Sequence, residues 1–156
     1  YHFGSKDNLY RELVIDYMDE YRKSILHISQ MNRGIRNTLI RIIYNDILKS
    51  KQDPYRMRMI LRMIVDPSKE HYHFITTRLK ELHAIIESVF QKGIQSGELQ
   101  GNPRRLATAL MGFSAIAILQ NVFLKGKPFT HQDSVEFVDL LLKNAMAISL
   151  IPRSHG

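Results

Sequence analysis

Apolar residues recur every three or four positions along most of this chain, the spacing of one face of an α-helix. In the segment 67–95 the apolar positions follow one another at intervals of 3, 4, 3, 4 and 3 residues. They are Tyr72, Ile75, Leu79, Leu82, Ile86 and Val89. No stretch alternates apolar and polar residues as a half-buried β-strand does. The sequence therefore predicts an all-α fold.

Three helix starts carry the same signal, a capping Asp or Asn followed by Pro. They are Asp53-Pro54, Asp66-Pro67 and Asn102-Pro103. The acidic or amide side chain accepts from a free backbone amide, and Pro at the first helical position loses no hydrogen bond. These signals predict helices near 54–65, 67–95 and 103–125. We expect Gly97 to close the second of them in a left-handed conformation.

The remaining segments predict three more helices. Ser5 is a good N-cap for a first helix over 5–28, and the Gly-containing segment 32–34 separates it from the second. A last helix begins near Thr130, with Asp133 placed to help cap it. Together these segments predict a bundle of about six helices.

The composition excludes some chemistries. The chain has 156 residues, enough for one domain with a core, and it has no Cys. Disulfides, thiol nucleophiles and Cys-based zinc sites are therefore ruled out, and a reducing, cytoplasmic location is expected. The net charge of +7 favours anionic partners. Because the basic residues are dispersed, charge alone does not indicate nucleic-acid binding.

The segment 106–124 is apolar nearly all the way round, unlike the amphipathic helices that surround it. Such a helix is either enclosed by protein on several sides or lies in a membrane. Gln120 and Asn121 would be costly in lipid, which favours the first alternative. We therefore expect this helix to lie between its own domain and a second subunit.

The first ten residues, YHFGSKDNLY, resemble the junction that joins the DNA-binding and sensor domains of TetR-family transcriptional regulators. In that family an aromatic-rich recognition-helix end is followed by a Gly turn and a Ser/Asn-Lys-acidic helix start. The matching residues are Tyr1, His2, Phe3, Gly4, Ser5, Lys6, Asp7 and Leu9, whereas Asn8 departs from the pattern. The later segment 93–119, with its Gly-Glu-Leu turn and helix of small and apolar residues, is also similar to the family's sensor domain.

The resemblance implies a domain organisation and a set of DNA contacts. Residues 1–4 would be the end of the recognition helix and its turn, residues 5–28 a linking helix, and residues 29–156 the ligand-binding and dimerisation domain. The base-reading helix-turn-helix would precede Tyr1, and Tyr1, His2 and Lys6 would contact DNA phosphates. The alternative is that Tyr1 and His2 pack with Phe3 and that Lys6 is solvated.

The resemblance also implies a homodimer in which the last two helices of each subunit form a four-helix interface. The candidate interface residues are Leu106, Leu110, Phe113, Val138, Leu141, Leu142 and Ala145. Each of them could instead belong to the core of a single chain.

A pocket for a small, largely apolar effector is expected between the short helix, the long helix and the apolar helix. Its candidate residues are Met59, Ile60, Met63, Tyr72, Phe74, Ile86, Phe90, Met111, Gln120, Asn121 and Phe123. Flexible, polarizable Met suits a surface that adapts to varied apolar ligands. The alternative for each residue is ordinary core packing, and the amides could find partners within the chain.

No catalytic motif is present, because the sequence lacks a Gly-rich phosphate loop, a His-Glu-x-x-His pair and a nucleophile elbow. His71 and His73 are two residues apart, so on a helix they point in different directions and share no metal. The resemblance thus implies a ligand-responsive DNA-binding regulator that acts as a repressor, with no cofactor. A dimeric helical interaction module without DNA binding is the alternative.

Overall fold

The computed structural model describes the backbone of residues 2–124 and 127–147, and the side chains of residues 6–124 and 127–143. Within these ranges the chain forms six α-helices and no strand. They are α1 (His2–Gln30), α2 (Gly34–Gln52), α3 (Pro54–Val65), α4 (Lys69–Gln95), α5 (Pro103–Phe123) and α6 (His131–Ala147). The predicted all-α fold of about six helices is confirmed.

The capping signals read from the sequence work as expected at three helix starts. Asp53 accepts the amide of Arg56 at 3.0 Å, and Asn102 accepts the amide of Arg105 at 3.1 Å. At the start of α6, the Asp133 carboxylate accepts the amide of Thr130 at 2.6 Å. Because each contact satisfies an otherwise unpaired amide, these starts coincide with the predicted ones to within a residue.

The prediction for the start of α4 is wrong by two residues. Asp66 ends α3 instead of capping α4, because its amide bonds to the carbonyl oxygen of Arg62 at 2.9 Å. Pro67 then forms the corner, and Ser68 takes the N-cap position of α4. Asp53 carries the same Asp-Pro signal and does both, because its amide bonds to the carbonyl of Lys49 and its carboxylate caps α3.

α1 also begins earlier than expected, at His2 instead of Ser5, and runs through Gly4. A helical Gly costs roughly 1 kcal/mol relative to Ala, which the turns on either side outweigh. At its other end, the long helix α4 closes as predicted. Gly97 has φ of 79°, and the amide of Glu98 returns to the carbonyl of Gly93 at 2.9 Å.

The larger of two buried clusters surrounds α2. A row of aliphatic residues on α2 is fully enclosed by α1, α4, α5 and α6. Its members are Leu39, Ile42, Ile43 and Ile47, each with no exposed surface. They meet Phe90 of α4 and Val138 of α6 in the same cluster. α2 is therefore the central helix of the bundle.

A second, smaller cluster joins α1 to α3 and α4. It consists of Val14, Met18, Ile60, Ile75 and Leu82. Tyr21 and Met111 touch both clusters. α3 thus packs on α1 and α4 through this smaller cluster, and its side of the bundle contains fewer buried core residues than the side around α2.

Asn121 ties the end of α5 to the rest of the bundle. Its amide donates to the hydroxyl of Ser50 on α2 at 3.1 Å, and its carbonyl oxygen accepts the amide of Phe129 at 2.9 Å. Gln120 donates to the carbonyl of Lys127 at 3.1 Å from an exposed position. The amides predicted to need partners therefore find them within the chain.

We expect Asn121→Ala to lower the free energy of unfolding by about 1–3 kcal/mol, because it leaves the partly buried amide of Phe129 without an acceptor and removes the donor to the Ser50 hydroxyl. Urea unfolding of the purified protein measures the change. The matched control is Gln120→Ala, which we expect to cost less than about 0.5 kcal/mol. Equal effects of the two variants would contradict the role given to Asn121.

Candidate functional site

A cavity of about 620 Å³ opens between the start of α1, the length of α3, the α3–α4 corner and the end of α5. Its walls combine apolar, aromatic and polar side chains. They are Asp7, Tyr10, Met59, Leu61, Arg62, Met63, Val65, Asp66, Ser68, His71, Leu119 and Phe123. The volume lies within the range of roughly 300–1,000 Å³ that is typical of small-molecule sites.

Helical spacing produces the apolar walls. Met59 and Met63 are one turn apart on α3, and Leu119 and Phe123 are one turn apart on α5, so each pair presents one surface to the cavity. The two Met side chains can adjust to the shape of a ligand. These four residues give the cavity an apolar interior that is open to solvent at one side.

Arg58 holds the α3 and α5 walls together. Its guanidinium donates from Nε and Nη2 to the carbonyl oxygen of Val122 at 3.2 and 2.9 Å. The same group lies over the ring of Phe123, 5.6 Å from its centroid. A cation at the end of a helix satisfies unpaired carbonyls and is stabilised by the helix dipole.

The polar part of the cavity centres on His71, in the first turn of α4. Its side chain is only 8% exposed, and Nδ1 lies 2.8 Å from the hydroxyl oxygen of Ser68. Ser68 occupies the N-cap position, yet its hydroxyl accepts no backbone amide. The other ring nitrogen, Nε2, has no partner among the residues whose side chains are described. The wall of the cavity thus includes a largely buried imidazole.

Three charged residues also line the cavity. Asp7 and Asp66 contribute carboxylates, and Arg62 contributes a guanidinium that forms no ion pair with any residue in the described ranges. All three residues are exposed, so solvent weakens their fields.

The structure brings three of the predicted pocket residues into this cavity, namely Met59, Met63 and Phe123. Ile60, Ile86 and Phe90 lie in the core clusters instead, each at most 1% exposed. They face the centre of the bundle and not the cavity. For these three, the alternative of ordinary core packing holds.

The other predicted pocket residues lie elsewhere. Met111 packs between the two core clusters, and Tyr72 is 60% exposed on the outer face of α4. Phe74 lies beneath the guanidinium groups of Arg11 and Arg78, each 5.7 Å from its ring centroid. Gln120 and Asn121 bond within the chain, as described above.

Sequence reasoning missed the polar residues of the cavity. His71 was considered in the sequence only as a metal ligand, and it was rejected because His73 points in a different direction. Its spacing of three from Ser68 at a helix start is the signal that could have marked it, because this spacing places the two side chains within reach. Tyr10 and Leu119 carried no separate signal, since each also fits a helical apolar face.

The candidate interface residues divide into buried and partly buried groups. Leu110, Val138 and Leu142 lie in the core of their own chain, at 1%, 0% and 6% exposure, so they offer no surface to a partner. Leu106, Phe113 and Leu141 are partly buried against that core. Ala145 lies outside the residues whose side chains are described.

Phe113 belongs to an aromatic group that joins α5 to α6. Its ring stacks on that of Phe137, with centroids 3.9 Å apart and planes 6° from parallel. It also meets Phe129 edge to face at 5.5 Å. These contacts fix the angle between the last two helices.

The exposed face of α5 is apolar. Ala109, Gly112 and Ile116 follow at intervals of three and four and are exposed, with Ile116 at 59%. Leu140 on α6 is 61% exposed. We call this surface, Ala109, Gly112, Ile116 and Leu140, the α5–α6 face. Exposed apolar surface of this kind marks interaction sites.

α5 is also long and apolar enough to cross a membrane, judged by length and composition alone, and 28% of its most apolar window is buried within the chain. The sequence led us to expect a helix enclosed on several sides. Its own domain covers only one of them.

The residues predicted to contact DNA phosphates lie at or beyond the edge of the described structure. Tyr1 lies outside it, and His2 begins α1 with its side chain outside the described range. Lys6 is exposed near the start of α1.

A buried carboxyl group anchors the middle of α1. Asp46 on α2 is 2% exposed, and its Oδ2 accepts the hydroxyl of Tyr21 on α1 at 3.0 Å. Its Oδ1 and the hydroxyl of Ser114 on α5 have no well-formed hydrogen bond in the described part of the chain. Burial raises the pKa of Asp46 to about 7, and the nearby hydroxyls and Lys49 offset only part of that effect.

Aromatic and cationic groups surround this carboxyl on its α1 side. Tyr17 and Tyr21 stack 6.4 Å apart, and Nζ of Lys49 lies 5.8 and 5.9 Å from their centroids. Arg56 of α3 lies 5.6 Å from the ring of Tyr17. Burial of Lys49 beside these rings lowers its pKa. α1 is therefore held by α2 and α3 through a buried polar and aromatic cluster.

We expect Asp46→Asn to make the protein more stable than the native chain above pH 8 and to lose this advantage near pH 5. A carboxyl with a pKa of about 7 when folded and about 3.9 when unfolded binds its proton more tightly in the folded state. Stability from this group is thus fully present below about pH 4 and falls as the pH rises from about 4 to about 7, by up to roughly 4 kcal/mol, with little change above that.

Urea unfolding of both proteins at pH 5 and pH 8.5 measures this difference. Asp16→Asn, at an exposed position on α1, is the matched control and should keep the native pH dependence. A parallel pH dependence of the native protein and Asp46→Asn would show that Asp46 is ionised throughout.

Comparison with known proteins gives one informative result at the level of structure. No family model matches the sequence, and no curated protein matches it. The structure is similar to the crystal structure of a bacterial regulatory protein in the tetR family from Rhodococcus RHA1. The TM-score is 0.73 and the sequence identity 12%, over 92% of this chain and 76% of that one. The chain has the fold of that regulator.

Proposed function

We propose that this chain is the sensor and dimerisation part of a ligand-responsive transcriptional regulator that acts as a repressor in the cytoplasm. The observation that carries the proposal is the 620 Å³ cavity, because it is walled on one side by the first turns of α1. The shared fold with a regulatory protein of the tetR family supports it. The chain needs no cofactor for this function.

α1 is the element that transmits the signal. Asp7 and Tyr10 at its start line the cavity, and Tyr17 and Tyr21 in its middle pack against the buried Asp46 cluster. A ligand in the cavity therefore contacts α1, the helix that packs against α2 and α3. In the domain organisation implied by the resemblance, residues 1–4 end a recognition helix, 5–28 link the domains and 29–156 form the sensor, although α1 already begins at His2.

The α5–α6 face would carry the homodimer. Its small residues, Ala109 and Gly112, allow the same helix of a second copy to approach closely, and Ile116 and Leu140 supply apolar area. A two-fold dimer would separate two recognition helices by about 34–36 Å, one turn of DNA. Tyr1, His2 and Lys6 would then contact phosphates, which sets register without reading bases.

The regulatory step is a shift between two conformations of the dimer. A ligand that binds more tightly to the conformation with recognition helices wrongly spaced releases the operator. The size of the response is limited by the ratio of its affinities for the two conformations. The cavity at the start of α1 is well placed to produce such a difference, since a change in its width moves that end of the helix.

We expect the purified protein to bind N-phenyl-1-naphthylamine, a neutral apolar fluorescent probe, in this cavity. Met63→Asp should weaken binding at least about tenfold, because it places a carboxylate in the apolar wall. Fluorescence titration measures the affinity. Leu48→Asp, on α2 and away from the cavity, is the control and should bind as the native protein does. Absence of probe binding would favour an interaction module that dimerises but senses no ligand.

We expect the native chain to sediment as a dimer and Ile116→Asp to sediment as a monomer, because the carboxylate would be buried at the centre of the α5–α6 face. Tyr55→Asp is the control, since Tyr55 is also largely exposed, at 78%, but lies on α3. A native monomer, or a dimer that survives Ile116→Asp, would place the interface elsewhere or remove it.

A further inference from the structure

The carboxyl group of Asp46 lies where α1, α2 and α5 meet. Asp46 is only 2% exposed, its Oδ2 accepts the hydroxyl of Tyr21 on α1, and the hydroxyl of Ser114 on α5 lies beside the carboxyl. No salt bridge joins Asp46 to any residue whose side chain is described. A buried carboxylate without a paired cation is costly, and such a group tends to take up a proton instead.

The hydrogen bonds of this carboxyl also favour its protonated form. Oδ2 receives the one hydrogen that the Tyr21 hydroxyl can donate. Oδ1 and the Ser114 hydroxyl are both buried, and neither has a well-formed hydrogen bond in the described part of the chain. A proton on Oδ1 removes the charge and turns this oxygen into a donor beside a hydroxyl that has free acceptor positions.

The charged groups around Asp46 leave its charge largely uncompensated. Nζ of Lys49 attracts the carboxylate, but it lies over tyrosine rings and 3.4 Å from the hydroxyl of Ser24. Burial outweighs this attraction and raises the pKa of Asp46 to about 7. The titratable and charged groups around Asp46 and Lys49 are Tyr17, Glu20 and Tyr21 on α1, Lys49 on α2 and Arg56 on α3, whereas α5 contributes the uncharged Ser114.

Water has a route to this junction along α1. A cavity of about 120 Å³ opens between α1, α2 and α3 and is lined by Tyr17 and Lys49, which neighbour the Asp46–Tyr21 pair. Water that solvates an ionised Asp46 from this side enters between α1 and α2. The hydrogen bond from Tyr21 is the contact that it would replace.

We infer that Asp46 makes the attachment of α1 sensitive to protons: protonated, it holds Tyr21 and the middle of α1 against α2, and ionised, it admits water and loosens this part of α1. The inference concerns α1 and requires no ligand in the 620 Å³ cavity. In the proposed regulator, protons would be a second influence on the helix that links the domains.

Titration of the Asp46 carboxyl carbon by ¹³C NMR is the first test. We expect a midpoint near 7 in the native protein, and a midpoint below about 5, close to the ordinary value for Asp, overturns the inference. Tyr21→Phe should raise the midpoint, because the carboxylate loses its hydroxyl donor. Tyr17→Phe, in the same aromatic stack, is the matched control and should leave the midpoint unchanged, since Tyr17 donates no hydrogen bond to Asp46.

Amide hydrogen exchange tests the loosening of α1. Urea unfolding at the same pH gives the exchange rate that complete unfolding allows. At pH 8 we expect residues 14–24 to exchange at least about tenfold faster than that rate, because α1 opens while the rest of the fold stays closed. At pH 5.5 this excess should be smaller by at least about tenfold, because the protonated carboxyl holds α1 in place.

Two variants attribute the effect to Asp46. Asp46→Asn keeps the shape of the side chain but cannot ionise, so protection of α1 should be the same at both pH values once intrinsic exchange is corrected for. Asp16→Asn, exposed on α1, is the matched control and should keep the native pH dependence. If Asp46→Asn does not fold, the midpoint measured in Tyr21→Phe still tests the link between the carboxyl and α1.

The outcomes separate this inference from the proposed function. An α1 that never exchanges faster than complete unfolding allows overturns the inference, because the proton would then act on the whole fold. A pH dependence that survives in Asp46→Asn also overturns it. Neither result changes the expectations for probe binding or for dimerisation.

Discussion

Packing around α2 is the constraint on which the rest of this structure depends. Four aliphatic side chains of that helix are enclosed by α1, α4, α5 and α6, so each outer helix has one face assigned to the same core. Hydrophobic burial of this kind is the dominant favourable term in folding. α3 is not part of the larger cluster and rests instead on α1 and α4. The cavity lies on that more thinly packed side.

The six helices could be predicted from local signals, because apolar spacing and capping chemistry act over a few residues. α3 begins and ends at the predicted positions, since Asp53 and Pro54 determine its start locally. The start of α4 was misplaced because two identical local signals behave differently: Asp53 ends α2 and caps α3, whereas Asp66 only ends α3 and Ser68 takes the N-cap position of α4. The Asp-Pro pair itself does not distinguish the two cases.

The site was less predictable than the fold, for a related reason. Met59 and Ile60 are neighbours with similar helical patterns, yet one lines the cavity and the other is 1% exposed in the core. Successive residues point about 100° apart around a helix. This difference separates a cavity residue from a core residue only when the positions of the neighbouring helices are known. Likewise Asp46 lies on an apolar face where periodicity gives no warning of a carboxyl, and only burial reveals its raised pKa.

The bond from Arg58 to the carbonyl of Val122 makes the cavity mechanically asymmetric. Through it, α3 and the end of α5 are fixed to each other. The start of α1 is held to α4 by a different contact, the guanidinium of Arg11 lying 5.7 Å from the ring centroid of Phe74. In the proposed sensor we expect an occupant that is too large for the resting cavity to displace α1 more than α5, so that the subunit contact proposed on α5 keeps its shape while the linking helix moves.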